Sequence, residues 1–126
     1  MVFINKEEET ESVVNTIKEA LLDKKAKDIA VIHLGNMENA VSEYFIVTHG
    51  TSDTHVESLA KAVVEKTEEK IESSPWHIEG MQNKEWILLD YADVVVHIFQ
   101  PRMREFYRIE ELWADAEIEH IDEEKS

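Results

Sequence analysis

With 126 residues, 43% of them hydrophobic and 33% charged, the chain has material for one domain around one hydrophobic core. The absence of cysteine excludes disulfide frameworks, thiol nucleophiles and cysteine-held zinc or iron–sulfur centres. A formal charge of −15 repels free RNA, free DNA and anionic membrane surfaces at long range, and it favours a basic protein partner.

The start, MVFINKEEETE, is acidic rather than basic-then-apolar and does not read as a signal peptide. No apolar run approaches the roughly 20 residues of a membrane-spanning helix, so a soluble, cytoplasmic protein with no membrane contact is the expectation. Three glycines and two prolines argue against a low-complexity chain. Residues 1–126 are expected to form a single domain, with 1–9 and 117–126 as loose ends.

From Thr10 to Lys25, Val13, Val14, Ile17, Ala20 and Leu21 recur at spacings of three and four, the stripe of an amphipathic helix. Lys24, Lys25 and Lys27 fall near its end, where positive charge suits the helix dipole. DIAVIHL, Asp28 to Leu34, reads as a strand. A polar turn, GNMENAVSE, leads to a second strand, YFIVT, expected to be buried on both faces. In HGTSDTH, Gly50 supplies a turn, and Thr51 or Ser52 is suited to cap the next helix. That helix carries Val56, Leu59, Ala60, Val63, Val64 and Ile71, and Pro75 provides its stop.

A short strand at Trp76 to Glu79 and a polar loop, GMQNKE, come next. Trp86 to Tyr91 and Val94 to Phe99 have almost nothing between them, the spacing of an antiparallel hairpin. PRMREFYRIEELWADAE reads as one last helix with Pro101 in its first turn and Met103, Phe106, Ile109, Glu110 and Trp113 inward. The fold class expected is α/β (α+β): a single mixed sheet of about five strands with helices packed on it.

The six histidines show no ligand spacing such as HExxH, and structural or surface roles suit them. HGTSD resembles an anion-binding helix start but lacks the spacing and lysine of a phosphate loop. Ser52 and His55 are helical neighbours without a nucleophile elbow, so serine-hydrolase chemistry is discounted. The stretch WILLDYADVVVHIF sets Asp90 and Asp93 close together. Such carboxylates can bind a metal, act as an acid/base pair, cap a turn or meet a basic partner. On alternation, Trp86, Leu88 and Asp90 share one strand face, and Ile87, Leu89 and Tyr91 share the other. A nucleotidyl-transfer site sets carboxylates near a glycine and hydroxyl loop, with Mg²⁺ bridging to substrate. HGTSD and DYAD echo that layout without a Lys/Arg cluster for a triphosphate. A Mg-dependent nucleotide-binding enzyme is therefore the alternative to a binding protein.

SEYFIVTHGTSDTHVESLAKAVVE, HIEG, WILLDYADVVVHIF and REFYRIEELWADA occur in that order and at those spacings. Together they resemble the ribosomal silencing factor family, also called Iojap-like, from Asp28 to Ala116. The resemblance implies a nucleotidyltransferase-like fold that has lost its chemistry, with no catalysis, cofactor or metal. It implies binding to the large ribosomal subunit through its fourteenth ribosomal protein, on the face where the small subunit docks. Steric block of subunit joining then silences translation when nutrients are scarce, and the family is also described as aiding large-subunit maturation.

Carried onto this chain, the contact surface is expected to comprise Trp86, Asp90, Tyr91 and Asp93 of the hairpin, with Arg104, Tyr107, Glu111 and Trp113 of the last helix. Aromatic and arginine anchors commonly carry such interfaces. Trp86, Phe106 and Trp113 serve equally well as core, and Asp90 and Asp93 either touch the partner or only hold the turn. A homodimer of the free protein is left open. The chain carries Glu43 where the family has aspartate. It carries Ala92 where the family has glycine, which implies a turn with positive φ that alanine adopts only at a cost of roughly 1 kcal/mol; either the turn differs in this chain or the strain is tolerated.

Overall fold

The computed structural model describes residues 6–35, 37 and 42–121. The lead before Lys6, most of the GNMENAVSE turn and residues 122–126 lie outside the described residues. Helix α1 (Lys6–Asp23) starts one turn before the apolar stripe, on Glu7, Glu8 and Glu9, whose charge suits a helix N-terminus. It closes through left-handed Lys25, with the Ala26 N–H donating to the Leu21 carbonyl at 2.9 Å.

Strands β1 (Lys27–His33) and β2 (Tyr44–His49) follow, then helix α2 (Asp53–Ile71). Ser52 caps α2, its Oγ accepting the His55 N–H. The helix stops at left-handed Glu72, three residues short of Pro75. Strand β3 (His77–Glu79) and the hairpin β4 (Trp86–Asp90) and β5 (Val94–Phe99) come next. The chain then forms α3 (Pro101–Tyr107), α4 (Ile109–Leu112) and β6 (Glu117–Ile121).

One sheet of six strands runs β3-β4-β5-β2-β1-β6, with β2 and β5 parallel and every other neighbouring pair antiparallel. Helices α1 and α2 cover one face. There Ile17, Leu21, Leu59 and Val63 pack on Ile29, Ile46, Leu89, Val96 and Ile98. On the other face, Ile32, Val47 and Phe99 lie under Ile109, with Met103 and Trp113 packed beside them. Central β5 is buried along its whole length, which accounts for its run of β-branched residues.

Three expectations are corrected. The sheet gains a sixth strand because Glu117–Ile121, expected in a loose tail, pairs antiparallel with β1. Without it β1 would be an open edge. Ile118 and Ile121 lie on opposite faces, opposite Ile32 and Ile29, so no two-residue alternation announces the strand. The last helix is two pieces, broken at Arg108, whose φ of 47° ends α3. Within α3 it is Tyr107, packed on Trp86, that turns to the sheet, and Phe106 is 73% exposed instead of in the core.

A candidate protein-docking face

Strand alternation directs Trp86, Leu88 and Asp90 of β4 away from α1 and α2, and the antiparallel register sets them beside Phe99, His97 and Val95 of β5. Phe45 of β2 lies opposite Val95 on the same face. Helices α3 and α4 cover one end of this face: Tyr107 lies 4.6 Å from the Trp86 ring centre, and Trp113 meets Phe45 edge-on at 6.0 Å. The rest is bare. It forms a groove of about 490 Å³ lined by Phe45, Leu88, Val95 and His97, with Asp90 and Asp93 also lining it at the hairpin turn.

The turn is built by its own acids. Asp90 Oδ1 accepts the Ala92 N–H at 2.8 Å, and the Asp90 carbonyl accepts the Trp76 N–H at 2.7 Å, tying in edge strand β3. The Asp93 carbonyl accepts the N–H groups of Glu43 and Tyr44, while its carboxylate reaches Lys6 at 3.2 Å near the surface. Ala92 keeps a positive φ of 75°, so the strain that glycine would avoid is accepted. Ala92→Gly is expected to raise unfolding stability by roughly 0.5–1 kcal/mol in urea titration, after the extra freedom of unfolded glycine is offset.

Trp86, half-buried, stacks on Phe99 at 5.0 Å and donates its indole N–H to His97 Nδ1 at 3.2 Å. His97 interrupts an otherwise apolar strand and is 4% exposed, and burial pushes its pKa down to about 4. Nearby Asp90 opposes that shift in part. Glu111 is exposed and pairs with Arg108 at 3.5 Å.

Two expected contact residues turn inward. Tyr91 lies on the helix-covered face at 7% exposure, its hydroxyl 2.9 Å from Thr67 Oγ1. Thr67 donates to the Val63 carbonyl, so the phenol donates to Thr67. Burial raises the Tyr91 pKa. Tyr91→Phe is expected to cost about 1 kcal/mol of stability, read by urea titration. Arg104 has an 11% exposed side chain and grips Glu110 at 2.6 Å and His49 Nδ1 at 2.9 Å. Burial first, then Arg104, lowers the His49 pKa.

Phe45, Leu88, Val95 and His97 were not singled out from sequence. VVVHIF is apolar at every position but one, so its composition hides which face is open. His97 itself was the available signal. The loop that echoes a phosphate site is already occupied from within. His55 Nδ1 accepts the Thr51 N–H at 2.9 Å, and Ser52 Oγ accepts the His55 N–H at 3.1 Å. His55 Nε2 donates to the Lys24 carbonyl at 2.8 Å. Among the described residues no group of three or more His, Asp or Glu is arranged to hold a metal, and no helix is long and apolar enough to cross a membrane.

A family model described as "Ribosomal silencing factor during starvation" matches residues 7–126. The chain is 33% identical over 112 residues to the ribosomal silencing factor of Bacillus subtilis, covering 88% of this chain and 92% of that one. It is 39% identical over 98 residues to the Chromobacterium violaceum silencing factor, covering 75% and 76% of the two chains. A crystal structure of a Chromobacterium violaceum protein superposes with a TM-score of 0.77 at 35% identity, covering 82% of this chain and 85% of that one. The chain belongs to the ribosomal silencing factor family.

Proposed function

We propose that this protein represses translation by binding the large ribosomal subunit through its fourteenth ribosomal protein and sterically blocking the small subunit. The observation that carries the reading is the bare sheet face, an apolar groove with Asp90 and Asp93 at its turn end. Apolar floor and acidic end match a basic protein surface, where long lysine or arginine stems cover aliphatic groups and their cations meet carboxylates. The charge of −15 steers the chain toward a basic protein and away from bare rRNA. Trp86, Tyr107 and Trp113 border the groove as aromatic anchors, and exposed Glu111 belongs to the rim. A cytoplasmic location and a contribution to large-subunit maturation go with the same reading.

Sucrose-gradient sedimentation with purified bacterial large subunits tests it. The protein is expected to travel with the subunit and to reduce joining when small subunits are added. Asp93→Lys, a surface change, is expected to weaken association about tenfold by setting cation against cation. A folded Asp93→Lys protein bound at wild-type affinity removes Asp93 from the contact; absence of co-sedimentation by the wild type sinks the proposal. The enzymatic alternative needs donors for a triphosphate from the Gly50–Asp53 loop, where His55 already engages Thr51 and Ser52. Calorimetry with Mg²⁺ and nucleoside triphosphates, giving no heat of binding, separates the two.

A further inference from the structure

His97 carries a hydrogen-bonding group that none of the described residues satisfies. The indole N–H of Trp86 can only donate, so His97 Nδ1 must be its acceptor and is unprotonated. The single proton of the neutral ring therefore sits on Nε2. That Nε2 is buried and has no hydrogen-bond partner among the described residues. A buried donor left unpaired is costly, and such costs persist at positions that serve something other than stability. The ring lies on the groove side of the sheet, with Phe45 edge-on at 4.7 Å.

We infer that His97 is a specificity-determining residue of the docking face, whose Nε2–H donates to a neutral acceptor, a main-chain carbonyl, on the segment that enters the groove. This rests on the reading of the bare face as the docking site. The acceptor is neutral for two reasons. A carboxylate would lie in an apolar groove with Asp90 and Asp93 beside it, repelled and stripped of water. A neutral imidazole also offers no charge to repay that cost. The carboxylates at the turn select the basic side chains of the same segment, and His97 selects its backbone position. Because Nε2 is buried in the free protein, docking has to displace a covering side chain. Phe45, packed on the ring and only half-buried, is the neighbour placed to yield.

Binding of purified bacterial large ribosomal subunits by His97→Phe, His97→Gln and Leu88→Glu tests this, with folding checked by circular dichroism. His97→Phe keeps a flat ring and removes the donor; affinity is expected to fall about tenfold. His97→Gln can accept from Trp86 through its amide oxygen while its amide nitrogen still donates, and is expected to stay within about threefold of wild type. His97→Phe binding at wild-type affinity while Leu88→Glu binds poorly overturns the role of His97 and leaves the docking face standing. Leu88→Glu binding as wild type overturns the face itself, and this inference with it. Should His97→Phe fail to fold, His97→Leu makes the same comparison with a smaller apolar side chain.

Discussion

Arg104→Ala is expected to lower unfolding stability by about 3 kcal/mol, more than any exposed substitution on the docking face. The guanidinium meets both Glu110 oxygens, at 2.6 and 3.4 Å, and also donates to His49. With Arg104 and Glu110 largely buried, deletion of one partner strands a carboxylate without its cation. Breaking such a pair typically costs 3–5 kcal/mol, and the partial exposure of Glu110 places this case at the lower end. Arg104 on α3 also reaches across to the β1 end, 3.5 Å from the Lys27 carbonyl, so its loss loosens α3 and α4 on the sheet. Those helices hold Tyr107 and Trp113 against Trp86 and Phe45. Large-subunit affinity is therefore expected to fall as well, although the arginine itself faces inward.

Urea titration of Arg104→Ala, Glu110→Leu and the double variant Arg104→Met/Glu110→Leu separates packing from charge. The double variant should recover most of the loss, since replacing both charges with apolar groups leaves nothing stranded. A double variant as unstable as the alanine variant would show that specific hydrogen bonds, rather than the uncompensated charge, dominate. The His49 pKa should rise in Arg104→Ala, because a neighbouring cation that disfavours its protonation is gone.

The elements legible in the sequence are those whose burial follows one clear period. α2 and the β4–β5 hairpin were read closely because Ser52 caps in the usual way and Asp90, Ala92 and Asp93 form a short turn. The fate of the C-terminal region was not legible. Its break at Arg108 requires a left-handed non-glycine residue, which leaves no composition signal, and it changes the phase of every residue beyond it. Beyond the break Ile109 is buried and Leu112 faces outward. At the site, local alternation put Trp86 and Asp90 on one face and Tyr91 on the other, as observed. The resemblance carried Tyr91 and Arg104 into the contact set as neighbours along the chain. That Tyr91 turns inward depends on which face α1 and α2 cover, and that Arg104 does depends on where α3 docks on the sheet; both are tertiary facts.

His97 also makes a prediction about acid. Its folded-state pKa of about 4 lies below the ordinary histidine value of 6.5, because burial disfavours the imidazolium. The unfolded chain therefore binds this proton more readily than the folded one. The stabilisation is complete above the unfolded value and is lost as pH falls from 6.5 toward 4, by roughly 3 kcal/mol in all. His49, also lowered by burial, adds a loss of the same sign, and carboxylates such as Glu19 and Glu57, lowered by lysine partners, add theirs at more acid pH. His97→Phe isolates one contribution from these. Urea titrations of both proteins from about pH 7 to about pH 4.5 should show the variant gaining roughly 2–3 kcal/mol on the wild type as pH falls. A gap independent of pH would mean that the ring is protonated as easily in the folded protein as in the unfolded one. It would then no longer be the fixed neutral tautomer on which its role as a donor in the groove depends.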